Sequence, residues 1–326
     1  MNPLIGRLGH IGVLMGGCSS EREISLRSGK AIFDALKQSG CRVSAIDINS
    51  SQEDAIVSQL KGTGIDVAFI ALHGQLGEDG VIQGILEKMN IPYSGSGVAA
   101  SRLAISKVET QKRFRQNSIP IANFHVIRKD REPVKQEQLD AIVDFPVVVK
   151  PSSQGSSIGI SLVEKKENLP AALNEAFRYD DEVLVEAYIK GRELTIGILD
   201  DNALPVIEIK PSHPFFDFTA KYQAGLTEYI IPAKLPDQIA CLVREVALKA
   251  HRVLGCEDLS RVDVMLDNNN HLFVLEVNTI PGFTATSLLP KAAKANGIEF
   301  PELCLKIAAM AYRKQKSAQT AITKNS

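Results

Sequence analysis

The chain of 326 residues has almost no net charge, no paired cysteine motif and no long apolar run, and each lack closes off a class of function. A formal net charge of −1 supplies no basic field, so nucleic acid is not an expected partner. No uninterrupted apolar run reaches the length of a membrane span, and Met1 to Gly9 holds no apolar segment of the signal-peptide kind. The expected location is therefore the cytoplasm, with no membrane partner. The five cysteines, Cys18, Cys41, Cys241, Cys256 and Cys304, are odd in number and include no C-x-x-C pair, which argues against a disulfide framework and a zinc site. They read as small buried hydrophobes. No G-x-x-x-x-G-K-[ST] occurs, which excludes the P-loop architecture, and no internal repeat is visible. What remains is a globular α/β chain long enough for two or three domains.

The pattern along the chain supports that reading. Strands are expected at His10 to Met15, Arg42 to Ile48, Val67 to Leu72 and Pro92 to Ser94, with helices at Glu21 to Gln38 and Val81 to Met89, a doubly wound arrangement. Gly16-Gly17 followed by Ser20-x-x-Glu23 reads as a glycine turn opening onto a helix with a capping box. Helical stretches near Ala99 to Asn117 lead into short strands at Phe145 to Lys150, Ile158 to Val163 and Val183 to Ala187, around a helix from Asn168 to Arg178. Further strands are expected at Glu193 to Leu199 and Leu204 to Ile209, with helices at Asp237 to Leu254 and Glu302 to Arg313. The polar residues beyond Lys314 are expected to be disordered. The domain division that follows is 1–95, 96–189 and 190–314, with 315–326 as a tail.

Two stretches carry chemistry. Arg261-Val-Asp-Val-Met-Leu-Asp267 and Leu275-Glu-Val-Asn278 both alternate apolar and polar residues, so Arg261 and Asp263 share one strand face while Glu276 and Asn278 share another. Asp267-Asn-Asn-Asn-His271 reads as the turn between them, and the resulting hairpin sets Asp263 opposite Glu276 and Arg261 opposite Asn278. Carboxylates with an amide oxygen suit a hard cation such as Mg²⁺, which keeps water and phosphate oxygens among its ligands. The plainer alternative is a solvated strand face. The second stretch, Pro151-Ser-Ser-Gln-Gly-Ser-Ser-Ile-Gly159, follows a strand ending at Lys150 and offers backbone N–H groups, hydroxyls and a cation to phosphate oxygens. Two other matches are weaker. Gly95-Ser-Gly97-Val-Ala-Ala100 resembles a dinucleotide fingerprint but comes late in the αβ run and lacks a ribose-binding acid. Gly155-Ser-Ser157-Ile-Gly159 has the spacing of a nucleophile elbow, yet a β-type run rather than a helix follows it.

Taken in order, Gly16-Gly-Cys-Ser-Ser-Glu-Arg-Glu-Ile-Ser25, Ala71-Leu-His-Gly-Gln-Leu-Gly-Glu-Asp-Gly80, Lys150 to Gly159, Ala220-Lys-Tyr222 and Glu276-Val-Asn-Thr-Ile-Pro-Gly282 closely resemble the motifs of the D-alanine–D-alanine ligases of the ATP-grasp superfamily, from about His10 to about Ala309. The resemblance implies an ATP-grasp fold behind an N-terminal doubly wound domain, ATP-dependent joining of two D-alanines through an acyl phosphate for peptidoglycan precursors, and a homodimer. It implies that Asp263, Glu276 and Asn278 hold two Mg²⁺ or Mn²⁺ ions, and that Lys107, Lys150 and Lys221 neutralise phosphate charge. It places the adenine against Glu186-Ala187-Tyr188-Ile189 and the ribose at Glu193, and Ala187 stands where many relatives carry lysine. Glu21, linked through Ser156 to Tyr222, would take the first D-alanine's ammonium, with His73 on the substrate side. Arg261 and the Gly282 N–H would face the oxyanion, and Ser287 with the Leu288 N–H the second carboxylate. Phe215-Phe-Asp-Phe218 stands where relatives often have tyrosines. Another ATP-grasp carboxylate–amine ligase, a D-alanine–D-lactate ligase or a non-catalytic nucleotide-binding module are the competing readings.

Overall fold

The computed structural model describes residues 5–129, 145–211 and 227–324. The first unit holds β1 (His10–Gly16), α1 (Arg22–Gln38), β2 (Arg42–Ile48), α2 (Glu53–Lys61), β3 (Val67–Ile70) and α3 (Val81–Lys88). Its three strands are parallel in the order β2-β1-β3. The central β1 is buried along its whole length, as a strand covered on both faces must be, which explains its nearly unbroken apolar reading. Helix α2 has no counterpart among the sequence expectations. Only Ile56 and Leu60 of it are buried, too few apolar positions to make a visible period. The strand expected at Pro92 to Ser94 shrinks to one bridge between Ala68 and Tyr93.

The expected capping box does not form. Helix α1 begins after Glu21, which makes no side-chain cap bond, and the Glu21 backbone N–H donates instead to Ser19 Oγ at 3.2 Å. The carboxylate of Glu21 is thereby turned to the loop containing Ser156, whose hydroxyl donates to Oε1.

The helical stretches expected near 99–117 are α4 (Val98–Ile105) and α5 (Lys107–Gln116). Ser106 breaks the run with an extended ψ of 103° and caps α5 by accepting from Glu109 N–H at 3.3 Å. Next come β4 (Phe124–Arg128), β5 (Val147–Pro151), β6 (Ser161–Val163), α6 (Leu169–Ala176) and β7 (Glu182–Ala187), an antiparallel sheet in the order β4-β7-β5-β6. Leu169 and Leu173 of α6 pack on Val147, Val149 and Val185.

The last sheet contains β8 (Gly191–Leu199), β9 (Asn202–Ala203), β10 (Ile207–Pro211), β11 (Thr227–Ile230), β12 (Leu259–Asp267) and β13 (Leu272–Asn278). Its order is β11-β10-β8-β12-β13, with β9 beside β8, and all its pairings are antiparallel. Helix α7 (Asp237–Val253) covers one face, with Val243, Ala247 and Ala250 against Val262 and Val264. After α8 (Leu288–Ala295), helix α9 (Phe300–Lys324) returns to the first sheet, where Leu303, Ile307 and Met310 share a core with Ile11, Val13 and Phe69. The chain's end is thus built into its beginning.

Two expectations are corrected. Helix α9 runs on to Lys324 where a disordered tail was expected, because the residues after Lys314 include neither glycine nor proline and are rich in helix-forming Gln, Lys and Ala. Of the cysteines, only Cys256 and Cys304 are buried; Cys18 and Cys241 are exposed and Cys41 is intermediate, because Cys18 lies in a loop and Cys241 on the outer side of α7.

Candidate active site

The hairpin of β12 and β13 sets Arg261 opposite Asn278 and Asp263 opposite Glu276. The pairing arises differently from a simple count outward from the turn. Leu266 faces Leu272, Met265 faces Phe273 and Val264 faces Val274, so an unbroken ladder would put Leu275 opposite Asp263. A register shift at this point makes Leu275 the extra residue of a β-bulge and delivers Glu276 to Asp263. Burial records the same step. Leu272 and Val274 are buried at a spacing of two, and the next buried residue is Val277, three positions on. Gln111 of α5, itself buried, donates from Nε2 to the Leu275 carbonyl at 3.0 Å, satisfying an acceptor at the irregular point of the ladder.

Asp263 is 5% exposed and is fixed by three donors: Thr195 Oγ1 of the neighbouring β8 at 2.6 Å, Arg261 Nε at 3.0 Å and Arg261 Nη2 at 2.7 Å. The arginine fork and the hydroxyl hold the carboxylate in one orientation. Lys107, the first residue of α5, donates to the Gln154 carbonyl at 2.6 Å and lies 3.8 Å from Glu276 Oε2. It therefore ties the glycine-rich loop to the acidic strand. Asn278 Oδ1 accepts from the Ile280 N–H at 3.1 Å, which anchors its amide at the strand end. Two carboxylates and an amide oxygen on one face of adjacent strands fit a hard divalent cation. Among the described residues no three His, Cys, Asp or Glu side chains are grouped so as to hold a metal ion, so two carboxylates and one amide are what the protein itself offers at this point.

The second cationic centre is Lys150 on β5, paired with the buried Glu186 of β7. Burial alone would lower the Lys150 ammonium, but the Glu186 carboxylate, with Glu276 and Glu193 behind it, outweighs that and holds it above the ordinary lysine range. Ala187 closes β7 and spends its N–H on the Asn123 carbonyl at 2.9 Å, while Ile189 lies in the connection between β7 and β8. These residues and Glu193 lie outside the main cleft.

That cleft, of about 600 Å³, is lined by loop, helix and strand residues, Glu21, Lys107 and Arg261 among them, and by Gly282, Ser287 and Leu288. The carboxylate of Glu21 is wedged between two glycines: a Cβ on Gly74 would lie 2.7 Å from Glu21 Oε2, and one on Gly155 3.0 Å from it. Ser156 and Ser157 both adopt left-handed backbone angles, φ 51° and 59°, an uncommon conformation for residues with a Cβ. Ser287 is the N-cap of α8 and its Oγ accepts from the Thr284 N–H at 3.0 Å, so Leu288 opens a helix whose N-terminus faces the cleft. His73 is 4% exposed, and both ring nitrogens engage protein atoms, Ser28 Oγ at 3.1 Å and the Ile280 carbonyl at 2.9 Å. Lys221, Tyr222 and Phe215 to Phe218 lie outside the described residues.

Sequence reasoning missed Thr195, Gln111, Ser28 and Gly74. The first three are ordinary polar residues on elements distant in sequence from the groups they hold. Gly74 was present in the quoted His73-Gly74 motif, and its φ of 67° explains why glycine stands there.

Family models agree with this geometry. Residues 114–309 match the model described as the D-ala D-ala ligase C-terminus, and 10–61 with 49–96 match the D-ala D-ala ligase N-terminus. The D-alanine–D-alanine ligase of Geotalea uraniireducens is 47% identical over 302 residues, 92% of this chain and 95% of that protein. The corresponding protein of Syntrophotalea carbinolica is 48% identical over 299 residues, again 92% and 95%. Among solved structures, the D-alanine–D-alanine ligase of Bacillus anthracis superposes with a TM-score of 0.85 at 38% identity, covering 95% of this chain and 99% of that one. A structure from the same organism complexed with ATP gives 0.84 at 35%, with the same coverage. With matches spanning both halves of the chain and all three sheets, the protein belongs to the D-alanine–D-alanine ligase family, ATP-dependent ligases of the ATP-grasp fold with an N-terminal α/β domain.

Proposed function

We propose that this chain joins two D-alanines to D-alanyl-D-alanine at the expense of ATP, supplying a peptidoglycan precursor, and that the cleft around Glu21, Arg261 and Gly282 is where it does so. A carboxylate is a poor acyl donor, so its oxygen first attacks the γ-phosphorus of ATP, giving an acyl phosphate and ADP. The amine of the second D-alanine then attacks the acyl carbon, phosphate leaves with the C–O electron pair, and the amine loses a proton. The observation that carries the reading is the convergence of Glu21, from the first unit, with Ser156, from the glycine-rich loop, on the same cleft as Asp263 and Glu276. An acid at that point can hold the ammonium of an amino acid whose carboxylate faces the phosphate site.

In this reading Asp263, Glu276 and Asn278 would hold two Mg²⁺ or Mn²⁺ ions, which would supply Lewis acidity and offset phosphate charge. Lys107, Lys150 and Lys221 contribute further positive charge to a reaction that depends mainly on positioning. Glu186, with the backbone of Ala187 and Ile189, receives the adenine, and Glu193 the ribose. The Gly282 N–H and the Arg261 guanidinium stabilise the tetrahedral oxyanion, and removal of one such donor raises the barrier by about 3 kcal/mol. Ser287 and the Leu288 N–H bind the second carboxylate, His73 supports the substrate side, and Tyr222 extends the Glu21–Ser156 link. We also infer a homodimer, a cytoplasmic location and functional boundaries near residues 95, 189 and 314. Among the described residues no helix is long and apolar enough to cross a membrane.

The test is phosphate release from ATP and Mg²⁺ with D-alanine, L-alanine and D-lactate in parallel, with products identified by mass. Turnover with D-alanine and formation of its dipeptide are expected. ATP binding without stimulation by D-alanine would overturn the substrate assignment and leave the fold assignment standing.

A further inference from the structure

We propose that Ser28, which the functional reading above does not use, is a positioning residue that sets the oxyanion-binding turn through a buried hydrogen-bond ring shared with His73. The proposal rests on the reading of the Gly282 N–H as the oxyanion donor.

Gly282 is part of the segment that leaves the metal-facing strand β13 and enters α8. No regular ladder fixes a turn of this kind, so its backbone needs other partners. Two residues of the first unit supply them. Ser28, 1% exposed and on the inner face of α1, accepts from the Phe283 N–H at 3.2 Å. His73, in the loop after β3, bonds through Nδ1 to the Ile280 carbonyl at 2.9 Å. Ser28 Oγ and His73 Nε2 are themselves 3.1 Å apart, which closes the ring. Two anchors therefore bracket Gly282, one two residues before it and one immediately after.

The directions of the bonds are constrained. A carbonyl can only accept, so Nδ1 donates to Ile280, and the Ser28 hydroxyl, which already accepts from Phe283, has Nε2 as the acceptor for its own proton. Ser28 is consequently donor to His73 and acceptor from Phe283, a role that alanine cannot fill. Glu78 Oε1 also approaches Nδ1, at 3.5 Å, and accepts from the Gly74 N–H at 3.2 Å. The same node reaches the other substrate position, because Ser19 Oγ donates to the His73 carbonyl at 2.8 Å and accepts from the Glu21 N–H at 3.2 Å. The N-terminal unit thus aligns the turn that would stabilise the oxyanion with the acid that would hold the first ammonium, although the two are more than 250 residues apart in the chain, as the separation of 255 between Ser28 and Phe283 shows. The packing of Phe283 between Phe69 and Phe300, with ring centroids 5.9 and 5.6 Å away, keeps the residue in place but cannot set the direction of a backbone N–H.

Positioning of an oxyanion donor affects the second chemical step and leaves the first untouched. Ser28→Ala is therefore expected to lower dipeptide formation by about tenfold or more, less than the roughly 100- to 1000-fold of deleting an oxyanion donor outright. Acyl phosphate would still form and be lost to water, so phosphate released per dipeptide rises above the ratio of one shown by the unaltered protein, while the ADP dissociation constant stays within twofold. Ser28→Thr keeps the hydroxyl while adding bulk, and is expected to hold the ratio at one even where its rate falls. A proportional loss of phosphate and dipeptide in Ser28→Ala, or equal uncoupling in both variants, overturns the proposal. In the unaltered protein the Phe283 amide is expected among the slowly exchanging core protons in D₂O, and fast exchange there overturns it whatever the variants do. If the unaltered protein forms no dipeptide from D-alanine, the functional reading fails instead, and the exchange measurement still tests the ring.

Discussion

The position of the Glu21 carboxylate against Gly74 permits a prediction that separates backbone strain from displacement of the acid proposed to bind the first D-alanine. Gly74 has φ 67°, a left-handed conformation that costs an L-residue about 1–2 kcal/mol. Its replacement by alanine would also bring a Cβ to 2.7 Å from Glu21 Oε2 and 3.2 Å from Ser19 Oγ. Restoring an ordinary contact of 3.4 Å needs a shift of about 0.7 Å, which the end of a glutamate side chain can make. The strain is small beside a typical folding stability of about 5–15 kcal/mol, so Gly74→Ala should fold. Displacement of a group that orients a reactant by about 1 Å costs on the order of 100-fold. The kcat/KM for D-alanine should therefore fall by tens-fold to about 100-fold, with KM for ATP within twofold, in initial-rate assays that vary each substrate separately. Gly297→Ala is the control: it has φ 80° with nothing within 4 Å of the added Cβ, so it meets similar strain without a collision. It should lose about 1–2 kcal/mol in urea unfolding and keep its kinetics. Normal D-alanine kinetics in Gly74→Ala, or a matching kinetic loss in Gly297→Ala, would refute the reasoning.

Glu276→Gln should abolish ATP turnover with an unchanged circular dichroism spectrum, and normal turnover at saturating Mg²⁺ would contradict the metal assignment. Thr195→Val removes one of the three donors to the buried Asp263 and should cost about 1–3 kcal/mol in urea unfolding, with a several-fold higher Mg²⁺ requirement for ADP binding by calorimetry. Burial pushes His251 down to about 4, against an ordinary value of 6.5, while its Nδ1 stays within 2.7 Å of Ser260 Oγ. The unfolded chain takes up that proton as pH falls through 6.5 and the folded chain only near 4, so stability present above 6.5 is lost across this window, about 2 kcal/mol of it by about pH 5. Urea midpoints of the protein and of His251→Gln, compared at neutral pH and about pH 5, should show a smaller acid loss in the variant.

The parts of this molecule that were legible in sequence are those whose signal is local. Strand β1, a nearly unbroken apolar run, strand β2 and the amphipathic helices α1 and α7 fall within a residue or two of their expected limits. The short polar helix α2 and the strand β4 carry too few buried residues to announce themselves. Helix α1 shows how a motif can be read correctly as a helix start and wrongly as a cap: Ser20-x-x-Glu23 has the spacing, but the N-cap is Glu21, its N–H is held by Ser19, and its side chain turns away to Ser156.

The acidic hairpin shows why the remainder was out of reach. Alternation correctly put Asp263 and Glu276 on facing strands, yet alternation cannot reveal the bulge that makes them opposite, because Leu275 looks like any other apolar strand residue. A bulge needs a partner for the carbonyl it displaces, and here that partner, Gln111, lies 164 residues away on a helix whose visible feature was Lys107 one turn earlier. The same holds for Thr195 on Asp263 and for Ser28 on Phe283: each is a neutral polar residue whose importance comes wholly from what the fold brings to it. Charged groups at a site can be anticipated because their types specify chemistry. The neutral groups that hold them in place become apparent only from the pairing of strands and the packing of the first unit against the last, and the geometry of the site depends on both sets.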